Sequence, residues 1–264
     1  MEDVERIKDR VRAQFGAAAD AYVRSATHRI GDDLARLVAL AELTPETVAL
    51  DVATGGGHTA LALAPHVRQV IASDLTPAML EQARAFLTAQ GVTNVEFRVA
   101  DAEELPFPDA SFDLVTCRIA PHHFADVQRA VHETARVLRP GGLFLLIDSV
   151  SPEDPELDAF LNELERRRDP SHVRSYRRSE WCRFLEAAGF AVEAMETFPK
   201  RHDFADWTGR SRLSPEDRAA LEAWVLAAPP ACREHFRVEV VDGRVVAHTD
   251  EKALFKARKI APGA

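Results

Sequence analysis

The run Asp51-Val52-Ala53-Thr54-Gly55-Gly56-Gly57-His58 decides how the rest of this 264-residue chain is read. It follows the apolar stretch VALDV (48–52), a buried-strand pattern, and it opens a short helical pattern. Glycines at such a turn let the backbone approach a ligand closely, and the N–H groups that open the helix favour an anion. Asp74 closes a second apolar run, QVIASD (69–74), where an acid can accept hydrogen bonds from both hydroxyls of a ribose. Gly55-x-Gly57-x-x-Ala60 satisfies the dinucleotide pattern G-x-G-x-x-G/A. Two features pull away from NAD. Asp51 closes the first strand where a dinucleotide loop wants apolar packing, and Asp101-Ala102-Glu103 follows a third strand, VEFRVA (95–100). An acid at that tip can accept from the exocyclic amine of an adenine while a backbone amide meets the ring. One such acid would ordinarily be a helix cap. Three at the carboxyl ends of consecutive strands, where open α/β sheets bind ligands, read one adenosine with no second nucleotide.

Outward from this core, strands and helices alternate. Thr76-Pro77 supplies an N-cap and a first-turn proline, and Gly91 ends that helix. DLVTCRI (113–119) is a fourth strand, VQRAVHETARVL (127–138) an amphipathic helix stopped by Pro140-Gly141-Gly142, and LFLLIDS (143–149) a fifth strand. The alternation predicts a parallel sheet with helices on both faces. Residues 1–42 read as helical, as one helix with a softer alanine-rich middle or as two. Beyond Ser149, helices are expected over 155–168 and 180–188, a sixth strand over 191–198, and a helix over 214–226 with Ser214 as cap and Asp217 as its capping-box partner. Asp242-Gly243 between FRVEVV and RVVAHT is a hairpin signal, and ALFKARK (253–259) is a candidate last strand. Pro229-Pro230 is too short a break to separate domains.

Composition narrows the function classes. Hydrophobic residues are 46% and charged residues 28%, which fits a globular chain long enough to bury its own core. The net charge of -9 argues against a duplex nucleic-acid binder, whose footprint is a basic face. No run of eighteen apolar residues is present, so no membrane span is expected, and the charged N-terminal segment MEDVERIKDRVR lacks an apolar signal core. Cys117, Cys182 and Cys232 lie far apart with no CxxC pair, so a reducing cytoplasm is the expected setting.

The ordered set of motifs resembles the class I S-adenosylmethionine (SAM)-dependent methyltransferases over most of the chain. The loop at 51–57 looks like the family's first motif, Asp74 like its ribose-binding acid, DAEELPFPDASFDLVTCR (101–118) like its adenine loop leading into strand four, and VLRPGG (137–142) like the turn before strand five. The run is especially similar to the ubiquinone/menaquinone C-methyltransferase-like branch. Within it, CRIAPHHF (117–124), RDPSHVR (168–174) and the C-terminal hairpin look like the YcgJ-type enzymes. Ala53 departs from the glycine the family often has there. The resemblance implies a Rossmann-like α/β fold with a seven-stranded, mostly parallel sheet and an antiparallel last strand. It also implies one methyltransferase domain, 1–264. Within that domain 1–42 would form a helical lid, 43–150 the SAM-binding core, and 151–264 the acceptor-side insertions and antiparallel strands.

On that reading the backbone of Ala53, Gly55 and Gly57 takes the amino-acid end of SAM, with Asp51 near its ammonium. Asp74 takes the ribose, Leu75 and Met79 pack on the adenine, and Asp101 and Ala102 read its edge. Arg118 meets the cofactor carboxylate or the acceptor. The lid brings Phe15, Tyr22 and His28 near the ligands. Methyl transfer takes its activation from the cofactor, so the protein supplies binding, alignment and exclusion of water. If the acceptor is a hydroxyl or an amine its proton must leave, and His122 or His123 is placed to act as base, the bland alternative being a loop hydrogen bond. Arg166, Arg167 and Arg168 read first as a solvated helix end and second as an anchor for an anionic acceptor. His172 and Arg174 are candidates for the acceptor pocket, whereas Trp181, Trp207 and Trp224 are expected in the core. His123 and His132 have no third ligand at useful spacing, so no metal is expected. The expected function is methyl transfer from SAM, leaving S-adenosylhomocysteine (SAH), to a small-molecule acceptor. An NAD-dependent oxidoreductase and a non-catalytic SAM-binding protein are the rival readings. The acceptor and the oligomeric state are not legible.

Overall fold

The computed structural model describes residues 4–24 and 32–261. Two N-terminal helices, α1 (Val4–Arg24) and α2 (Asp32–Leu40), precede β1 (Val48–Val52), α3 (His58–Leu63), β2 (Gln69–Asp74), α4 (Pro77–Ala89), β3 (Val95–Val99) and β4 (Phe112–Arg118). A 3-10 turn over Pro121–His123 leads to α5 (Val127–Val137) and β5 (Leu138–Ser151). Next come α6 (Pro155–Arg168), the short β6 (Tyr176–Arg177), α7 (Arg178–Ala187) and β7 (Phe190–Asp203). The chain closes with α8 (Phe204–Arg210), α9 (Pro215–Leu226), α10 (Pro230–His235), β8 (Glu239–Val241) and β9 (Arg244–Lys259).

The main sheet runs β3-β2-β1-β4-β5-β9-β7. Its first five strands pair in parallel, and β9 is antiparallel to both β5 and β7. The mostly parallel, seven-membered sheet with an antiparallel last strand is thus present. β6 adds two residues to β5, and β8 adds three to β9. Side chains alternate between faces along each strand, so one sheet feeds two cores. Leu50, Phe144 and Leu146 enter one cluster, while Ala49, Leu145 and Ile147 enter the other. A third cluster joins α6, α8, α9 and α10 through Phe160, Trp207, Leu221, Val225 and Cys232, with Phe236 just beyond α10.

Several boundaries moved for physical reasons. β5 begins at Leu138 rather than 143, because Leu138 still pairs with Phe112 before a bulge that absorbs the Pro-Gly-Gly turn. β7 runs to Asp203, held by pairing with β9 over its full length. The two expected C-terminal strands are one 16-residue strand. Asp242 and Gly243 both take positive φ, 48° and 75°, as a two-residue hairpin requires. Ser214 caps α9 as expected, accepting from the Asp217 backbone N–H, but the Asp217 carboxylate accepts from the Ser214 hydroxyl and not from its backbone N–H, so the expected capping box is replaced by a side-chain pair. Thr76 caps α4 without its side chain; its backbone N–H instead donates to Asp74.

Candidate functional site

β1 leaves the sheet at Val52 and turns at Ala53, whose φ of 52° is left-handed. That conformation is why glycine is common at this position, and an alanine there stores about 1–2 kcal/mol of strain. Gly57 then has φ 82° and sits so close to α4 that a Cβ would lie 2.5 Å from Leu87 Cδ1. The loop is pinned by Asp74, which accepts from the N–H of Gly55 at 3.0 Å and of Thr76 at 2.8 Å. Asp51 is buried below the loop and accepts from the hydroxyls of Thr54 at 2.6 Å and Thr116 at 2.7 Å. Burial lifts its pKa to about 6, against the pull of those two hydroxyls and of Arg118. A carboxylate held in this way gains from a cation placed beside it.

A first cavity opens above β3, β2, β1 and β4. Its walls include Ala53, Gly55, Asp74, Leu75 and Met79, and on the far side Asp101, Ala102 and Arg118. Ten expected residues thus fall at one place: these eight, and Asp51 and Gly57, which stand behind the wall. The Tyr22 side chain and His28 lie outside the described residues. Helix α1 closes the cavity with Lys8, Val11 and Phe15. Lys8 donates to Asp101 at 2.6 Å and pairs with Glu103 at 2.8 Å. Burial opposes its charge, but those two bonds outweigh it and hold its pKa above the ordinary lysine value. Arg118 reaches Asp33 of α2 at 2.8 Å, so both N-terminal helices are tied to this end of the sheet.

A second cavity, of about 340 Å³, continues over β4, β5, β9 and β7 and shares Phe15, Ile119 and His123 with the first. His122 lines it. Asp148, fully buried at the end of β5, accepts from the backbone N–H of His122 at 2.9 Å and from its ring Nδ1 at 2.6 Å. This fixes the ring and leaves Nε2 as the acceptor atom. His123 lies 4.2 Å from the His122 ring, centroid to centroid, with Nδ1 3.0 Å from the Ser171 carbonyl oxygen and the Phe15 ring against its edge. Burial, and then the neighbouring His122, drive its pKa down to about 4, so it is neutral at physiological pH.

Opposite stands a second imidazole–carboxylate pair, His202 Nε2 with Asp250 Oδ1 at 2.9 Å. Lys252 donates to the other oxygen of Asp250 and to Ser149. The arginine run splits. Arg166 and Arg167 pair with Glu163 on the surface, as a solvated helix end should. Arg168 is buried beside Glu165, lies over the Trp207 ring and lines the second cavity. His172 sits behind His122 and bonds Asn162, and Arg174 pairs with Asp158 and Glu180; neither reaches the cavity wall. Trp181 and Trp207 are buried, and Trp224 stacks on Phe160. His132 is on the exposed face of α5, bonded to its own helix.

Sequence reasoning passed over Lys8, Asp148, Glu165, His202, Asp250 and Lys252. Asp148 carried a readable signal: it is one more acid at the carboxyl end of a strand. The others become neighbours only through the pairing of β7 with β9 and the packing of α1 and α6.

Residues 50–146 match the family model described as a methyltransferase domain. The chain is 44% identical over 204 residues to the methyltransferase YcgJ of Bacillus subtilis, covering 77% of this chain and 80% of that one. It is 28% identical over 230 residues to a demethylmenaquinone methyltransferase of Clavibacter sepedonicus, covering 85% and 91%. The crystal structure of the Bacillus subtilis YcgJ protein superposes with a TM-score of 0.84 at 38% identity, over 86% of this chain and 98% of that one. Among the described residues no helix is long and apolar enough to cross a membrane. The fold, the glycine loop with its three strand-end acids and these relatives agree: the chain belongs to the class I SAM-dependent methyltransferases, in the branch of YcgJ and the ubiquinone/menaquinone C-methyltransferases.

Proposed function

We propose that SAM binds in the first cavity and a small-molecule acceptor in the second, with His122 as the base that takes the acceptor's proton. The observation that carries this reading is the junction of the two cavities beside an imidazole held by a buried carboxylate. SAM supplies an activated methyl group when bound. The residues fit it: the buried Asp51 suits its ammonium, the loop from Ala53 leaves room for its amino-acid end, Asp74 retains lone pairs for the ribose, and Leu75 and Met79 offer an apolar face to the adenine. Asp101 and Ala102 meet the adenine edge, with Lys8 drawing α1 down over it. On the acceptor side Asp148 orients His122 and stabilises its protonated form, as a carboxylate does for a general-base histidine. His123, held neutral, and Phe15 form the partition between the two ligands and exclude water.

The same reading divides the chain into a helical lid (1–42), a cofactor-binding core (43–150) and an acceptor-side region (151–264), because α6, β7, α8 and β9 together supply more of the second cavity's wall than the rest of the chain. Three unpaired thiols fit a reducing cytoplasm. Calorimetric titration of the purified chain with SAH, with NAD alongside, tests the cofactor assignment. Micromolar binding of SAH alone is expected. Binding of NAD alone would remove the reading.

A further inference from the structure

The second cavity runs across the sheet from β4 to β7, and its charged walls are not evenly distributed. At the β4 side stand Ile119, His122, His123 and, at the start of α2, Asp32 and Asp33, the carboxylate of Asp33 being taken by Arg118. At the β9/β7 side stand Lys252, Lys200, Arg168 and Arg210. Glu165, also in the wall, pairs with Arg168, and Asp250 stands behind Lys252. Both stay charged. Burial opposes ionisation of Glu165, but Arg168, His172 and Lys252 outweigh it and hold the pKa at about 2; Asp250 is pushed well below the usual carboxylate range by Lys252 and His202 against the same penalty. Lys252, Lys200, Arg168 and Arg210 thus gather at one end of the cavity, away from Asp32 and Asp33 at the start of α2. Burying ion pairs is costly for a fold, and an apolar wall would stabilise it as well or better. Buried charges that line a cavity mark a ligand-binding end.

The donors are also incompletely used. Of the three N–H groups of Lys252, Asp250 and Ser149 take two. Lys200 has no hydrogen-bond or ion-pair partner among the described residues. Phe198 and Pro199 give that end an apolar surface.

We infer that this end of the second cavity binds an oxyanion carried by the methyl acceptor, a carboxylate or a phosphate, with Lys252 and Lys200 as its principal contacts and Arg168 and Arg210 as flanking charge. The acceptor is then a small acid with two ends. The anion lies over β9 and β7, an apolar body lies against Phe198 and Pro199, and the methyl-accepting atom faces His122 beside the first cavity. This rests on the proposed use of the second cavity for the acceptor. Arg168 alone, of the three arginines in its run, takes part.

The test uses the full chain saturated with SAH and four probes: benzoate, phenyl phosphate, inorganic phosphate and neutral benzamide, which has nearly the shape of benzoate. Benzoate or phenyl phosphate is expected to bind at least about tenfold more tightly than benzamide. Preference between those two assigns the anion as carboxylate or phosphate, and inorganic phosphate separates the charge from the ring. Lys200→Gln, on an edge strand where folding is not at risk, is expected to remove most of that preference while leaving benzamide and SAH affinities unchanged. Lys252→Met is expected to act in the same direction, with its thermal transition as the check on folding. If both anions bind no better than benzamide, or if Lys200→Gln and a folded Lys252→Met leave the preference intact, the inference is overturned while SAH binding still stands. If SAH itself fails to bind, the cofactor reading and this inference fall together.

Discussion

The carboxylate of Asp148 receives both the backbone N–H and the ring Nδ1 of His122, at 2.9 Å and 2.6 Å. A single buried acid therefore sets the turn after β4 and the tautomer of the imidazole it presents. Asp148→Asn is expected to keep the fold, because the amide oxygen can still accept from the backbone. It removes the charge that stabilises a protonated ring, and the rate should fall by roughly 10²–10⁴-fold, the scale of a lost orienting carboxylate. SAH affinity should be unchanged. The hydrogen-bonded Nδ1 proton of His122 is observable by NMR without any acceptor, and its persistence unshifted in the variant would sink the assignment.

Asp51 gives a pH signature. Its pKa is raised from 3.8 to about 6 by burial, so its ionisation is harder in the folded than in the unfolded chain. The penalty is absent below about pH 4, grows as pH rises and is complete above about pH 6, where it reaches about 3 kcal/mol. Asp51→Asn is expected to raise the melting temperature of the ligand-free protein at pH 7–8. The advantage should vanish near pH 4, and SAH affinity should drop at least about tenfold, one lost charge-assisted contact. A melting-temperature gap independent of pH would refute this account.

The glycine loop makes a paired prediction. Ala53→Gly relieves a left-handed alanine but loosens the unfolded chain, so it should be neutral to stabilising by about 1 kcal/mol. Gly57→Ala meets both a positive φ and the Leu87 side chain, and should destabilise by about 2–4 kcal/mol. Denaturant melts of the two variants check the contrast; similar losses in both would contradict it.

Acid should unfold the protein through its buried imidazoles. Burial lowers the pKa of His123 and His248 to about 4 and of His172 to about 3, from 6.5. A folded pKa below the unfolded one means stability that is complete above pH 6.5 and is lost as pH falls toward 4 and 3. His172→Gln, which keeps a donor for Asn162, is expected to reduce by about one the protons taken up on unfolding near pH 5. Calorimetric melts at several pH values measure that number, and an unchanged uptake would exclude His172 from the effect.

Lys8 joins the lid to the adenine-side acids. Lys8→Met leaves Asp101 and Glu103 without their cation and should weaken SAH by about 1 kcal/mol, with faster amide exchange across residues 4–16. Exchange in α1 identical to the parent would show that Lys8 does not hold the lid.

What the sequence determined by itself is whatever depends on local order. Strand–helix alternation, the glycine turn, the strand-end acids Asp51, Asp74 and Asp101, and the Asp242-Gly243 hairpin all rest on periodicity and neighbouring residues, and each was legible without a third dimension. The same logic would have reached Asp148. Tertiary structure alone decided which buried charges meet. Arg168 separates from Arg166 and Arg167 because one side of α6 packs on α8, where Trp207 receives it. His202, Asp250 and Lys252 form one network because β9 pairs with β5 on one edge and β7 on the other. Lys8 meets Asp101 across 93 residues of chain because α1 packs on α4. Contacts of that kind carry no local signature: they arise where the sheet order brings distant segments together, and the second cavity is made almost entirely of them.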